Sequence, residues 1–343
     1  MSAPLSCIIG LSGQRLSKSE SVFLRDANPW GVILFSRNVK NPDQLKRLTG
    51  DIRSSMGRNT LIFVDQEGGR VQRLRAPHWR KFPSGDEYAA IYRQDKTLGQ
   101  RACFLGHRLI ADDLRAVGIT ADCAPVLDLP QPGADPIISD RALGSSVEDI
   151  VDMAHAAMAG LMAGGVAPVV KHIPGHGRAT VDSHKALPKI DADRETLEAS
   201  DFLPFRKLSD APMAMTAHAV YAHNSRSAVT VSRKSLLELI RAAIGFDGLL
   251  MTDDLDMKAL TGDLTRKAER ALKAGCDIAL QCSGLLADSV KVAKGCNSLS
   301  GHALRRAVIA ENCAEHETEF NRIGAEAEFD ELFRLHQVRL RSA

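Results

Sequence analysis

The 343-residue sequence lacks the features that define several classes of protein. No apolar run approaches the roughly 20 residues of a membrane-spanning helix. Residues 1–7 have neither the basic segment nor the long apolar segment of a secretory signal peptide. The seven cysteines include no CxxC pair, and several lie within apolar runs, where cysteine behaves as a small hydrophobic residue. We therefore expect a reduced protein of the cytoplasm.

The sequence also lacks an excess of charge of one sign. Its net charge is +2, charged residues make up 25% of the chain, and there is no acidic or basic tail. Bulk electrostatics therefore favour neither a nucleic acid nor a membrane surface as a partner, and we expect neither. No GxGxxG or GxxxxGK[ST] phosphate loop follows a predicted strand, and no HExxH zinc motif is present.

Eight short apolar runs have the length and composition of buried strands. They lie at residues 7–11, 31–35, 60–64, 119–126, 167–170, 212–216, 248–252 and 277–281. Helix-like stretches separate them, at residues 16–25, 43–56, 98–117, 146–163, 194–208, 232–243, 264–274 and 286–293. This alternation predicts an α/β protein with parallel strands and right-handed crossovers, and eight such units predict a (β/α)8 TIM barrel. A doubly wound open sheet is the alternative.

The domain organisation follows from the absence of a linker. No Gly-, Ser- or Pro-rich stretch divides the chain, so we expect a single domain. The barrel would occupy residues 1–300, and a polar helical tail, residues 301–343, would pack on it. Long loops near residues 65–95 and 171–193 account for the remaining length beyond that of a typical barrel.

Charged residues near the predicted strands lie mostly at the carboxyl ends of those strands. They are Asp65, Glu67, Arg70 and Arg73 after the third strand, Asp122, Asp128, Asp140 and Arg141 around and after the fourth, Lys171 and His172 after the fifth, His218 after the sixth, and Asp253, Asp254 and Asp256 after the seventh. The carboxyl ends of barrel strands share one face, which carries the active site. This pattern therefore predicts an enzyme.

Some of these residues also have an ordinary structural interpretation. Asp65 and Glu67 could be solvated turn acids, Arg70 and Arg73 could pair with nearby carboxylates, and His218 could be a hydrogen-bonded core histidine. For Lys171 and His172 a functional role is favoured. They directly follow a buried strand, where burying a charge costs free energy unless the charge has a partner or a function.

The segment that follows the fifth strand has the highest density of reactive side chains. Lys171 and His172 are followed by a Pro-Gly turn, by His176 between two glycines, and then by Asp182 and His184. The i, i+2 spacing of the last two lets the carboxylate contact the imidazole, fix its tautomer and favour its protonated form. This prepares a histidine to donate a proton.

The acids after the seventh strand leave two kinds of chemistry open. In an extended strand only one of Asp253 and Asp254 can point into the barrel mouth, so one would be a nucleophile or metal ligand and the other a structural acid. A metal hydrolase would draw its ligands from His172, His176, Asp182, His184, His218 and Asp253. The other possibility is metal-free acid–base and nucleophilic catalysis.

Five segments together resemble a known family. They are residues 31–38 (GVILFSRN), 65–74 (DQEGGRVQRL), 171–177 (KHIPGHG) with 182–184 (DSH), 215–218 (MTAH) and 251–257 (MTDDLDM). In order and spacing, from about residue 8 to about residue 283, the chain closely resembles the bacterial β-N-acetylglucosaminidases of glycoside hydrolase family 3. Ile173, in place of the usual aromatic residue, and Arg178 depart from the family pattern.

The resemblance implies a function and a role for each matching residue. It implies a cytoplasmic, cofactor-free barrel enzyme that removes non-reducing terminal N-acetylglucosamine from muropeptides during peptidoglycan recycling, with retention of configuration; we expect a monomer. Asp253 would be the nucleophile, His184 the general acid/base and Asp182 its partner, on a loop that is mobile in the family. The sugar-binding residues would be Asp65, Arg73, Arg141, Lys171 and His172. A β-glucosidase of the same family and a metal-dependent barrel hydrolase are the alternatives.

Overall fold

The computed structural model describes residues 3–342, and it describes the side chains of residues 3–337. Its strands are β1 (Leu5–Gly10), β2 (Pro29–Leu34), β3 (Leu61–Val64), β4 (Ala121–Asp122), β5 (Ala167–Ile173), β6 (Lys189–Ile190), β7 (Met213–Thr216), β8 (Val220–Tyr221), β9 (Leu249–Asp254) and β10 (Ile278–Gln281). Its helices are α1 (Lys18–Ala27), α2 (Pro42–Met56), α3 (Gly85–Gln94), α4 (Lys96–Ala116), α5 (Val147–Ala163), α6 (Arg194–Ala199), α7 (Leu203–Lys207), α8 (Arg233–Ser235), α9 (Leu264–Ala274), α10 (Leu286–Lys294), α11 (Gly301–Asn312) and α12 (Arg322–Ser342). A π-helical segment, Leu236–Ile244, continues α8.

Eight strands form a closed, all-parallel barrel in the order β1-β2-β3-β4-β5-β7-β9-β10, and β10 pairs with β1 to complete the ring. The predicted (β/α)8 barrel is therefore confirmed, and all eight predicted strands are present. Side chains alternate between two apolar layers, as the pleat of a strand requires. In β3, Leu61 and Phe63 belong to the cluster inside the barrel, whereas Ile62 and Val64 belong to the layer beneath the helices.

Three predicted elements differ from the structure. The fourth strand is regular only over Ala121–Asp122, and the region of residues 65–95 contains α3 as well as loop. The prediction of a single helix over residues 194–208 is wrong, because the segment forms α6 and α7 with a break between them. Pro204 lies in the first turn of α7, where its missing N–H costs nothing, whereas inside a continuous helix it would remove a hydrogen bond.

The two C-terminal helices pack on different parts of the fold. In α11, Glu311 accepts a hydrogen bond from the Trp30 indole at the start of β2, over 2.7 Å, and Ala307 and Ala310 pack on the interior cluster. In α12, Phe329 packs against Tyr88 of α3, with ring centroids 6.3 Å apart. The prediction that residues 301–343 form no separate domain is consistent with these contacts and stays a prediction.

A second, two-stranded sheet lies above the carboxyl end of the barrel. β6 pairs with β8 in parallel, so the chain that leaves β5 and the chain that leaves β7 are tied to each other. Among the helices of residues 3–342, none has the length and apolar character needed to cross a lipid bilayer.

Candidate active site

A cavity of about 200 Å³ opens at the carboxyl ends of the barrel strands. Seven of the eight residues that the sequence predicts for the site line it, and the eighth, Asp182, contacts one of the seven. The lining residues are Ile33, Phe35, Asp65, Glu67, Arg70, Val71, Arg73, Ile137, Arg141, Lys171, His172, His184, Met215, Asp253, Asp254, Leu280 and Cys282. Strands far apart in sequence therefore bring the predicted residues together.

One side of the cavity is an ion cluster of five residues: Asp65, Glu67, Arg73, Arg141 and Lys171. The Lys171 ammonium lies 3.0 Å from Asp65 and 2.5 Å from Glu67. The Arg73 guanidinium contacts Asp65 over 2.9 Å, and Arg141 makes two hydrogen bonds of 2.8 Å to Glu67. Burial alone would raise the carboxyl pKa values, but the adjacent cations outweigh it; they lower the pKa of Glu67 to about 2 and hold that of Asp65 well below its usual range.

The loop that carries Asp65 and Glu67 is held by side-chain hydrogen bonds to its own backbone. The side-chain oxygen of Gln66, Oε1, accepts from the backbone N–H groups of Arg73 and Leu74, over 2.8 and 3.0 Å. Gly68 has φ = +98°, and a Cβ there would lie 2.1 Å from the carbonyl oxygen of Pro83. This position therefore requires glycine, which explains the Gly-Gly pair in the motif.

His172 is oriented by an aspartate from the preceding strand–loop segment. Asp128 is fully buried, and one of its carboxylate oxygens lies 2.6 Å from His172 Nδ1. Its other oxygen accepts from the backbone N–H groups of His172 and His176, over 3.2 and 2.6 Å. Asp128 was named in the sequence only for its place near a strand end. Its contact with His172 spans 44 residues, and no local signal reveals it.

Asp182 and His184 form the predicted carboxylate–imidazole pair. Asp182 Oδ1 lies 2.8 Å from His184 Nδ1 and also accepts from the His184 backbone N–H over 2.9 Å. Asp182 is buried, whereas 64% of the His184 side chain is exposed at the cavity rim. Ser183, between them, accepts a hydrogen bond from the Ala259 N–H over 3.3 Å, which links this loop to the one that follows β9.

The two acids at the end of β9 have different environments. Asp253 accepts a hydrogen bond from the Asp254 N–H over 2.8 Å. Burial would raise the pKa of Asp253, but His172 and His218 outweigh burial and lower it, so this carboxylate stays ionised. Asp254 also lines the cavity, and its Oδ1 accepts from the backbone N–H groups of Asp256 and Cys282, over 3.1 Å each. Burial and the neighbouring negative charges raise the pKa of Asp254 to about 7.

The remaining predicted residues lie around the site in other roles. His218 is fully buried and hydrogen-bonded to Thr230 over 2.8 Å, the core-histidine alternative. Arg70 is at the rim and pairs with Asp140 over 2.7 Å. His176 is buried beside His172 and does not line the cavity. Within residues 3–342, no three His, Cys, Asp or Glu side chains are placed to hold a metal ion.

The rest of the cavity lining is mostly apolar, and none of its apolar residues was predicted for the site. Ile33, Phe35, Met215 and Leu280 belong to it. The Phe35 ring lies beneath the Arg73 guanidinium, whose central carbon is 5.2 Å from the ring centroid. These side chains follow the strand pleat like any core residue, so apolar patterning does not distinguish them. The charged lining of the site therefore comes mainly from the ends of β3 and β5, and its apolar lining from β2, β7 and β10.

Comparisons with known proteins agree with one another. The family model described as glycosyl hydrolase family 3 N-terminal domain matches residues 8–306. The β-hexosaminidase of Alkalilimnicola ehrlichii is 40% identical over 280 residues, covering 80% of each chain, and that of Methylobacillus flagellatus is 36% identical over 280 residues, with the same coverage. The crystal structure of NagZ from Neisseria gonorrhoeae in complex with N-trifluoroacetyl-D-glucosamine is 30% identical, covers 97% of both chains and superposes with a TM-score of 0.84.

Proposed function

The chain belongs to glycoside hydrolase family 3 and is a β-N-acetylhexosaminidase, and from this premise we propose its substrate and its catalytic mechanism. It hydrolyses non-reducing terminal N-acetyl-β-D-glucosamine with retention of configuration. Asp253 is the nucleophile, His184 the general acid/base, and Asp182 the residue that orients His184. The observation that carries this proposal is that a half-buried, ionised Asp253 and an exposed His184, which is held by Asp182, line the same cavity.

The reaction takes two displacements at the anomeric carbon. In the first, the Asp253 carboxylate attacks that carbon while the His184 imidazolium donates its proton to the departing glycosidic oxygen, which leaves a glycosyl-aspartate ester. In the second, His184 takes a proton from water as the water displaces Asp253. Retaining enzymes usually pair two carboxylates. A histidine as the second group avoids repulsion with ionised Asp253.

The ion cluster supplies the groups that hold the sugar. Asp65 and Glu67 accept hydrogen bonds, while Arg73, Arg141 and Lys171 donate them, and four ion pairs join the five residues into one continuous row. Hydroxyl groups of the sugar need both kinds of partner. Because the cations and carboxylates fix each other, little side-chain entropy remains to be lost on binding.

The natural substrate, the compartment and the oligomeric state belong to the same proposal. We infer that the enzyme acts on muropeptide fragments during peptidoglycan recycling, in the cytoplasm, as a monomer without a cofactor. The support is the ordered match of five motifs to bacterial β-N-acetylglucosaminidases and the 97% coverage shared with NagZ from Neisseria gonorrhoeae. Release of N-acetylglucosamine from purified muropeptides tests the substrate.

One labelling experiment tests the mechanism. A fluorinated glycosyl inhibitor should leave a mass adduct on the peptide that contains Asp253, and Asp253→Ala should lower kcat by about 10⁴-fold or more, as loss of a catalytic nucleophile does. Asp254→Asn, which keeps the adjacent hydrogen-bond acceptor, should still be labelled. An adduct on another peptide, or turnover by Asp253→Ala, contradicts the proposal. Parallel assays of an aryl N-acetyl-β-glucosaminide and the matching glucoside, with and without chelator, separate it from the glucosidase and metal-dependent alternatives.

A further inference from the structure

Asp128 has a contact pattern that no proposed catalytic or sugar-binding role accounts for. It is fully buried, away from the cavity lining, yet it accepts three hydrogen bonds from the two histidines of the turn after β5. Burial would raise its pKa, but His172 and His176 outweigh burial and lower it, so the carboxylate is ionised. An ionised carboxylate has no proton to donate and only accepts hydrogen bonds.

This acceptor determines which nitrogen of His172 carries a hydrogen. At 2.6 Å from the carboxylate, Nδ1 has to be the donor. In the neutral ring, Nε2 is then the acceptor. No hydrogen bond joins Nε2 to any residue of the described part of the chain, and His172 lines the cavity, so this atom is free for a ligand. The orientation of the ring and its tautomer therefore both follow from Asp128.

His176 limits the alternatives open to His172. Its ring lies 5.9 Å from that of His172, at an interplanar angle of 59°, and both of its ring nitrogens are buried without a hydrogen-bond partner among residues 3–337. It therefore packs against His172 without competing for the carboxylate. Its backbone N–H, by contrast, is bonded to the same Asp128 oxygen as that of His172, so one side chain joins both ends of the turn.

We propose that Asp128 is a positioning residue, which holds His172 in the Nδ1–H tautomer so that Nε2 accepts a hydrogen bond from a hydroxyl group of the sugar. This inference rests on the proposed function, since it takes His172 as a sugar-binding residue. Asp128 acts through His172 and does not contact the substrate. Its effect is to set the direction of one hydrogen bond, which a purely structural acid would not do.

The decisive substitution is Asp128→Asn. The amide oxygen can still accept from both backbone N–H groups, so the turn is retained. The amide NH2 then faces His172 Nδ1, which becomes the acceptor, and the ring hydrogen moves to Nε2. The atom that faces the sugar changes from acceptor to donor. We expect kcat/KM to fall by about 10- to 100-fold, the size of the penalty for leaving one buried hydrogen-bonding group without its partner, with a small change in Tm.

The readout that distinguishes positioning from structure is the tautomer itself. Long-range ¹H–¹⁵N spectra of the full-length protein, with His172 assigned by comparison with His172→Gln, should show Nδ1–H in the wild type and Nε2–H in Asp128→Asn. The wild-type spectrum is sufficient if the variant does not fold. A neutral His172 with hydrogen on Nε2 in the wild type overturns the proposal, as does an unchanged tautomer or an unchanged kcat/KM in a folded Asp128→Asn.

A matched control separates the tautomer from general anchoring of the loop. Asp201 is also fully buried and bonds the same loop, through Arg178 over 2.7 Å, without touching His172. Asp201→Asn should lower Tm and leave the His172 spectrum unchanged; a changed spectrum would mean that any buried acid behind the loop has this effect. Because the spectrum needs no turnover, failure of this proposal is distinguishable from failure of the Asp253 labelling experiment.

Discussion

His184 differs from every other proposed catalytic or sugar-binding residue in its exposure to solvent. Its ring is held from one side only, by Asp182, while Asp253 and the ion cluster are enclosed by the barrel. A proton donor at the rim lies where the leaving group meets water. The importance of His184 should therefore depend on how much the leaving group needs a proton.

The first residue-scale prediction concerns this dependence. His184→Ala should lower kcat/KM by about 10²–10⁴-fold on a substrate with a poor leaving group, the usual contribution of general acid catalysis. The loss should be far smaller on an activated aryl glycoside, whose leaving group departs without a proton. Lys185→Ala, one residue along the same loop, is the control and should behave like the wild type on both. Equal losses on both substrates for His184→Ala would exclude the acid role.

A second residue-scale prediction concerns Asp122, a fully buried acid of β4 whose Oδ2 has no hydrogen-bond partner in the part of the chain whose side chains the structure describes. Burial, with the nearby charges of Asp65 and Glu67, raises its pKa to about 7. Between about pH 4 and pH 7 the folded state therefore keeps a proton that the unfolded state releases. The free energy of unfolding must fall as pH rises through this window.

Asp122→Asn removes this proton linkage while Oδ1 can still accept from the Gln66 N–H. The wild type should lose stability between pH 5 and pH 9 through this group, and the variant should not. The free energy of unfolding of the variant, measured relative to the wild type, should therefore be about 2–4 kcal/mol higher at pH 9 than at pH 5, since one pKa unit corresponds to about 1.4 kcal/mol. Urea unfolding at pH 5 and at pH 9 measures this change. For the control Asp210→Asn, at an exposed position, the free energy of unfolding relative to the wild type should change by less than about 0.5 kcal/mol between the two pH values. If the change for Asp122→Asn is no larger than that for Asp210→Asn, Asp122 is ionised in the folded protein.

At the scale of elements, the loops that follow the strands are joined to one another as well as to the barrel. The Gly177 carbonyl accepts from the Gln131 N–H over 3.1 Å, and a Cβ at Gly177 would lie 1.9 Å from the carbonyl oxygen of Leu129. The loop after β4 and the loop after β5 therefore meet backbone to backbone. Only glycine permits this approach.

Gly177→Ala should displace the loop that carries Asp182 and His184. We expect a loss of about 1–3 kcal/mol of stability, as for other overpacked sites, together with a fall in kcat/KM. Thermal unfolding and kinetics on one substrate measure the two effects. Gly13→Ala is the control, because a Cβ at Gly13 meets nothing within 4 Å. A normal Tm and normal kinetics for Gly177→Ala would show that the two loops separate easily.

Prediction from sequence succeeded where a signal is local and failed where it is not. The eight strands follow from apolar runs, and the contact of Asp182 with His184 follows from their spacing of two residues. The contact of Asp128 with His172 depends on the pairing of β4 with β5, and sequence spacing cannot show it. Glu67 is not among the predicted sugar-binding residues, although it contacts Lys171 as Asp65 does. The composition of a turn does not reveal which of its acids is buried.

At the scale of the whole molecule, α12 supports the active-site loop from behind. Phe329 is buried against Phe82, with ring centroids 6.4 Å apart, and the Phe82 carbonyl accepts from the Gly69 N–H over 3.0 Å. Gly69 belongs to the loop that carries Asp65 and Glu67. The C-terminal helix is therefore connected to the ion cluster by contiguous packing.

Phe329→Ala should lower the free energy of unfolding by about 3–5 kcal/mol, the usual cost of removing a buried phenylalanine. Ile323→Ala provides a control in the same helix, because Ile323 is 82% exposed and its loss should cost less than about 0.5 kcal/mol. Denaturant unfolding of both variants measures the difference. A cost for Phe329→Ala as small as that of the control would mean that α12 contributes little to the fold.

The charges of the ion cluster, taken together with that of Asp253, have a consequence for how the enzyme responds to its surroundings. Arg73, Arg141 and Lys171 carry three positive charges, and Asp65, Glu67 and Asp253 carry three negative ones, so these fixed charges cancel. A balanced set has only a short-range field, and a neutral sugar is not drawn in from a distance. Recognition then depends on contact geometry and is nearly indifferent to ionic strength. Any salt dependence of binding would have to come from charges on the part of the substrate outside the cavity.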